Sequence, residues 1–337
     1  MHSRPRQYSV VPPAVMPGLR RALAVGLVTL VPIGTAAGQG AIDPNVAPRA
    51  AALEREGERH MAIDLLGRYL ATAPDDGRAW LQLGRFYLYD ARDWHVHGHR
   101  SEPQGLLYLD FAATALDQSI RLAVDSGTIF RGIVEVERGV VAIEARGWAE
   151  ARTMPGPDRA PHIPPYVLEL GENLLASCPA GGVLLTGSEL EALSVWYGSM
   201  ERPSLDVIPI RPDLYTTDSL YRDRMARAMG VDPALPVQRA LGDVAPRRTL
   251  CISPTTDTAA VPALSWAPYR LVRISRPASS GPEALSITEL LKAARQSSSP
   301  WVMDVRSVYD RAADYNLLLC SSLLLLFGDT PPPACRP

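Results

Sequence analysis

Lysine is almost missing from this chain: Lys292 is the single lysine among 34 lysines and arginines. The formal net charge is −2 and no basic block interrupts the sequence, which excludes an electrostatic nucleic-acid surface. Arginine dominance is read as composition bias. Cysteine is limited to Cys178, Cys251, Cys320 and Cys335, and no two of them have C-x-x-C spacing. A zinc ribbon and a thioredoxin-type motif are therefore excluded. G-x-S-x-G, H-E-x-x-H and the phosphate-binding P-loop pattern are also absent. Gly181 and Gly182 stand before a candidate strand and not after it, so they form no dinucleotide fingerprint. Ser188 with the upstream His162 can be assembled into a nucleophile pairing, but six histidines and many serines make such pairings uninformative. No cofactor and no catalytic residue is indicated.

What is present begins with an N-terminal export pattern. Arg4, Arg6, Arg20 and Arg21 precede an apolar run at 22–33, followed by the small residues Gly34, Thr35, Ala36, Ala37 and Gly38. This matches a secretory signal peptide over 1–40. The alternative is an uncleaved membrane anchor, since 22–38 is only slightly shorter than a spanning helix. Pro32 and the late glycines favour cleavage. Arginines ahead of the apolar run place the remainder outside the cytoplasmic membrane, which predicts a periplasmic chain, soluble or anchored. Four cysteines in an oxidising compartment allow three pairings. Cys178 leads into one candidate strand, Cys251 lies in another, and Cys320 and Cys335 share the C-terminal segment. Cys178–Cys251 with Cys320–Cys335 is the favoured set.

With 47% hydrophobic residues, the 337-residue chain has room for about two domains. Residues 41–152 read as helical repeats. Ala62, Leu66 and Pro74 close one unit, and Trp80, Leu83, Gly84 and Tyr87 open the next in the W-x₂-L-G-x₂-Y spacing of the tetratricopeptide repeat (TPR). Small residues let antiparallel helices approach, and large ones fill the gap. Trp80, Tyr87 and Trp94 are the candidate partner-binding residues. The second helix of this unit is recognisable only from Ala112, Leu116 and Ile120, so 94–105 reads as an inserted loop. It carries His95, His97 and His99, whose alternation in an extended loop is a candidate metal site for zinc, copper or nickel. The competing reading is a solvated polar loop. A third helix pair, or a long capping helix, follows through Ile129 to Trp148.

A proline-rich connection at 153–165 marks a boundary. Strand-like and helical segments then alternate over 166–276: strands at 182–186, 205–210, 248–253 and 269–274, helices at 166–175, 189–200 and 217–229, the last capped by Thr217 or Asp218. This predicts a small three-layer α/β domain with a mostly parallel sheet. The segment 277–337 resumes with helices at 286–296 and 305–327 and ends in a proline-rich tail.

The run CPAGGVLLTGSELEALSVWY, followed by RPSLDVIPIRPDLYTTDSLYRDRM, resembles the soluble extracytoplasmic C-terminal domain of bacterial membrane proteins related to protein O-mannosyltransferases. Arg202 and Pro203, the strand Asp206 to Ile210, and Thr217, Asp218 and Tyr221 carry it, with RTLCIS, YRLVRIS and Asp314-Tyr315-Asn316 farther on. It spans about 166–327. The membrane-spanning transferase portion of those proteins has no counterpart in these residues. Their Gly-Asp-Asn-Asp turn is altered here: Gly187 remains, and Ser188, Glu189, Leu190 and Glu191 follow. Gly187, Ser188, Glu189 and Glu191 form the candidate ligand-binding turn, able to hold a cation or sugar hydroxyls at the end of a parallel strand. The competing reading is a helix start, where glutamates suit the dipole.

Two functions follow. One is a non-catalytic extracytoplasmic binding or scaffold protein, contacting a membrane protein assembly and, if uncleaved, the membrane through its N-terminus. The other, implied by the resemblance, is an accessory or degenerate enzyme of envelope glycan transfer.

Overall fold

A computed structural model describes residues 43–97, 102–153, 162–202, 205–276, 285–327 and 331–336. The N-terminal apolar run, as leader or anchor, lies outside the described residues. Helices α1 (Val46–Arg55) and α2 (Arg59–Leu70) are joined by a turn at Gly57, whose φ of +84° suits glycine. Val46, Ala50, Ala62, Leu66 and Leu70 pack with Ala79, Leu83 and Phe86 of α3 (Gly77–His97) into a small core. Asp76 starts α3 by accepting the backbone N–H of Arg78 at 3.0 Å and of Ala79 at 3.1 Å. Trp80 Nε1 donates to the Pro74 carbonyl at 2.8 Å and closes the same turn. Gly84 then lets α4 (Pro103–Arg121) approach: a Cβ there would lie 2.6 Å from Leu116 Cγ.

The expected extended loop at 94–105 is shorter than its sequence implied. α3 continues to His97, because no glycine or proline interrupts it before Gly98, and α4 already begins at Pro103 with proline in its first turn.

α5 (Asp125–Arg146) and the one-turn α6 (Trp148–Ala151) complete the helical block. α5 is the long capping helix and not half of a third pair of equal helices. Ile133, Val136 and Val140 join the main core, and a Cβ on Gly139 would stand 2.2 Å from the Trp196 ring. The second half of α3, α4 and α5 thus share one continuous core with the sheet region, while α1, α2 and the start of α3 keep the small core of their own.

After α7 (Pro165–Ala176) come β1 (Val183–Leu185), α8 (Glu189–Glu201), β2 (Ile208–Ile210), α9 (Pro212–Thr217), α10 (Ser219–Met229), α11 (Val237–Val244) and β3 (Leu250–Ile252). β1 pairs in parallel with β2, Leu184 opposite Pro209, and with β3, Leu184 opposite Cys251. All residues of β1 and β3 are fully buried, so both faces of this sheet are covered. The helix expected over 217–229 is α10, and of its two candidate caps Asp218 is the one used, accepting the Tyr221 N–H at 2.9 Å; the short α9 before it was not expected.

The strand expected at 269–274 is a hairpin of β4 (Ala267–Tyr269) and β5 (Val272–Ile274), antiparallel to β3, giving the mixed order β2-β1-β3-β5-β4. Arg270 at its tip has φ +51°. Nη1 of Arg270 donates to the Ala176 carbonyl at 2.7 Å, and Asn316 Nδ2 donates to the Arg270 carbonyl at 2.9 Å. These contacts hold a conformation that L-residues disfavour by roughly 1–2 kcal/mol.

The C-terminal part comprises α12 (Thr288–Gln296), α13 (Pro300–Tyr315) and α14 (Cys320–Phe327). The one long helix expected from 305 is broken at Asn316, whose side chain turns inward to the hairpin. α12 is capped by Glu169 of α7, which accepts the N–H groups of Glu289 at 3.1 Å and Leu290 at 2.9 Å. Cys178 pairs with Cys251, and Cys320 with Cys335, as favoured. Among the described residues no helix is long and apolar enough to cross a membrane.

Candidate functional site

Two surfaces emerge, one from the ends of the parallel strands and one from the helical hairpin. At the carboxyl ends of β1 and β2 a cleft of about 460 Å³ is lined by Thr186, Gly187, Ser188, Glu189, Arg211, Asp213, Leu214 and Thr217. Arg92 of α3 and Glu137 of α5 complete it from the helical block. Strand ends of parallel sheets are where loops diverge and leave such openings.

Glu137, whose side chain is 1% exposed, forms the floor. Its Oε1 accepts from Arg92 Nε at 3.0 Å and from Arg211 Nη1 at 3.2 Å. Each guanidinium also reaches a rim carboxylate. Arg92 Nη1 donates to Glu189, and Arg211 Nη2 to Asp213 at 2.8 Å. Burial works against both cations, but Glu137 and Glu189 raise Arg92, and Glu137 and Asp213 raise Arg211, above the ordinary arginine value. Both guanidiniums therefore stay charged. The rim carboxylates stand in solvent, where such pairs are worth about 0–1 kcal/mol.

The four residues of the sequence-derived turn divide. Gly187, Ser188 and Glu189 line the cleft, while Glu191 points into the fold. Its carboxylate accepts the Gly187 N–H at 2.9 Å, the Thr255 N–H at 3.2 Å, and the hydroxyls of Ser253 and Thr255. Glu191 thereby ties the loop after β1 to the loop after β3. Gly187 is required by that crossing, since a Cβ would lie 2.2 Å from the Thr255 backbone. Ser188 caps α8 by accepting the Glu191 N–H at 3.3 Å.

On the other surface, Trp80, Tyr87 and Trp94 recur every seven residues and share one side of α3. Trp80 and Tyr87 are half-buried; Trp94 is 38% exposed. The facing helix adds residues that the sequence reading missed. Phe111 lies 5.3 Å from the Tyr87 ring and Tyr108 lies 6.5 Å from Trp94. Leu107 and Phe111 are 40% and 42% exposed, so the hairpin presents aromatic and aliphatic side chains to solvent along one side. The signal available was the run LLYLDF at 106–111, which belongs to α4 and not to a loop.

Of the three histidines, His95 and His97 lie in the last turn of α3, and His99 is outside the described residues. Among the described residues no group of three or more His, Cys, Asp or Glu is placed to hold a metal ion.

Residues 47–86 match the tetratricopeptide repeat family. The match covers α1, α2 and the first half of α3, so Trp80, Leu83 and Gly84 stand in a TPR segment and the aromatic strip continues from its last helix. TPR segments point to protein partners. No curated protein and no solved structure matches the chain. The resemblance of 166–327 to O-mannosyltransferase-related proteins rests on its sequence pattern alone.

Proposed function

We propose that this is a non-catalytic binding or scaffold protein of the extracytoplasmic space that engages a subunit of a membrane protein assembly through its α3–α4 hairpin. The observation that carries this reading is the aromatic strip of Tyr87, Trp94, Leu107, Tyr108 and Phe111, continuous with the TPR match. Aromatic side chains supply much contact area at low entropic cost and dominate interface energetics. The extracytoplasmic placement is supported by the export pattern and by two disulfide pairs, which persist in oxidising compartments. An accessory role in glycan transfer is less well supported. Glu191, one of the two carboxylates it needs, is occupied by four hydrogen bonds.

The test is affinity capture from solubilised membranes with the wild-type chain and with a Trp94→Ala, Phe111→Ala double variant. A stoichiometric membrane partner retained by the first and lost by the second, at equal thermal stability, is the expected result. Retention of the same partner by the double variant would place the interface elsewhere and defeat the reading.

A further inference from the structure

The strand-end cleft has a charge arrangement that the scaffold role does not use. Arg92, Glu137 and Arg211 form a triad in which two half-buried guanidiniums face one buried carboxylate, a formal excess of one positive charge. Glu189 and Asp213, whose side chains are 47% and 61% exposed, overshoot that excess, so the cleft presents positive charge only when these two carboxylates turn outward. Glu137 fixes the two guanidiniums from below, since both reach the same oxygen, and this preorganises them side by side at the opening. Glu189 is held by a single pair to Arg92, and Asp213 by a two-point fork to Arg211, Nε to Oδ1 at 3.4 Å and Nη2 to Oδ2 at 2.8 Å. Both carboxylates stand at the solvent edge, where water compensates them when they swing away.

We propose that this cleft is a binding site for a small organic anion whose carboxylate or phosphate group displaces Glu189 and Asp213 and is shared by Arg92 and Arg211. Guanidinium forks match the planar or tetrahedral oxygens of such groups and bind them through paired charge-assisted hydrogen bonds. The cleft volume of about 460 Å³ lies in the range of small-molecule sites. The hydroxyls of Ser188 and Thr217 and the buried Thr186 supply further polar lining, with Leu214 as the apolar element. A cation is disfavoured, because it would meet two guanidiniums on the floor. The lining also lacks an aromatic platform for a nucleobase. Because Arg92 comes from the TPR-side helix α3 and Arg211 from the strand end, the anion bridges the helical block and the sheet.

The experiment is isothermal titration calorimetry of the full chain in low-chloride buffer with succinate and with inorganic phosphate. Wild-type protein is expected to bind at least one of them. Glu189→Gln and Asp213→Asn remove the competing carboxylates without touching the floor and are expected to bind about three- to fivefold tighter. Arg211→Gln is expected to abolish the heat signal. Preference for succinate identifies a carboxylate ligand and preference for phosphate a phosphate ester, and either supports the site. No binding by wild type and by both rim variants overturns it, as does weaker binding by the rim variants. If Arg211→Gln does not fold, the sign of the rim-variant effect decides alone. If it folds and binds like wild type, the anion sits elsewhere and the proposal fails.

Discussion

A single methyl group at position 171 should destabilise this protein, although helix propensity alone says the opposite. Gly171 lies inside α7, where alanine is favoured over glycine by about 0.5–1 kcal/mol. A Cβ there would stand 2.0 Å from the Ser194 carbonyl oxygen and 2.5 Å from its carbon, both on the backbone of α8. No rotamer change relieves a backbone clash, so α7 and α8 must separate by roughly 1 Å or more to regain van der Waals distance. α7 is also held on other sides. Asn173 Nδ2 donates to the Tyr309 hydroxyl at 2.8 Å, and Glu169 caps α12. Overpacking of a fitted core costs about 1–3 kcal/mol, and a backbone contact belongs at the upper end. After subtracting the propensity gain, Gly171→Ala should lose about 2–2.5 kcal/mol. That lowers Tm by roughly 3–4 °C for a chain of this size. Gly67 in α2 is the control, since a Cβ there meets nothing within 4 Å. Gly67→Ala should gain about 0.5–1 kcal/mol. Thermal unfolding followed by circular dichroism measures both. A Gly171→Ala protein that melts at or above wild type would refute the close crossing of α7 and α8.

Two further perturbations probe the fold around the cleft and the tail. Glu191→Ala takes the acceptor from the Thr255 N–H and from the buried Ser253 hydroxyl and leaves the Gly187 N–H only Ser253 Oγ at 3.3 Å, which should cost about 1–3 kcal/mol; urea unfolding at constant m-value checks it. Replacing Cys320 and Cys335 with serine opens a bridge of sequence separation 15 and should cost about 3 kcal/mol, read as a lower Tm that added reductant no longer changes at this site.

Local patterns in the sequence carried much of this architecture. The W-x₂-L-G-x₂-Y spacing located α3 because Gly84 and Leu83 face different neighbours across one helix. The alternation of short apolar runs with helices located β1, α8, β2 and β3, since fully buried parallel strands read as continuous apolar stretches. The β4–β5 hairpin was not legible. Its turn has no glycine at the left-handed position, where Arg270 is held instead by Ala176 and Asn316, both far away in sequence. Gly105 looked like a loop residue yet is buried within α4. At the cleft, Ser188 and Glu189 could be placed because a helix start is a local signal. Arg92, Glu137 and Arg211 could not, because Arg92 and Glu137 lie 45 residues apart, Glu137 and Arg211 lie 74 apart, and only packing of α3 and α5 on the strand ends joins them.

The Cys178–Cys251 bridge has a mechanical consequence. It closes a covalent ring of sequence separation 73 that contains β1, β2 and helices α8 to α11. Tension applied to the two ends of the chain passes from one sulfur to the other and bypasses the ring. Stretching would extend the TPR hairpins and the C-terminal helices while about 250 Å of contour stays hidden behind the disulfide. The rim residues Glu189 and Asp213 and the floor residue Arg211 all lie inside that shielded ring, whereas Arg92 and Glu137 lie outside it. A pull on the chain ends would therefore part the two halves of the cleft before it stretched the backbone that carries Arg211.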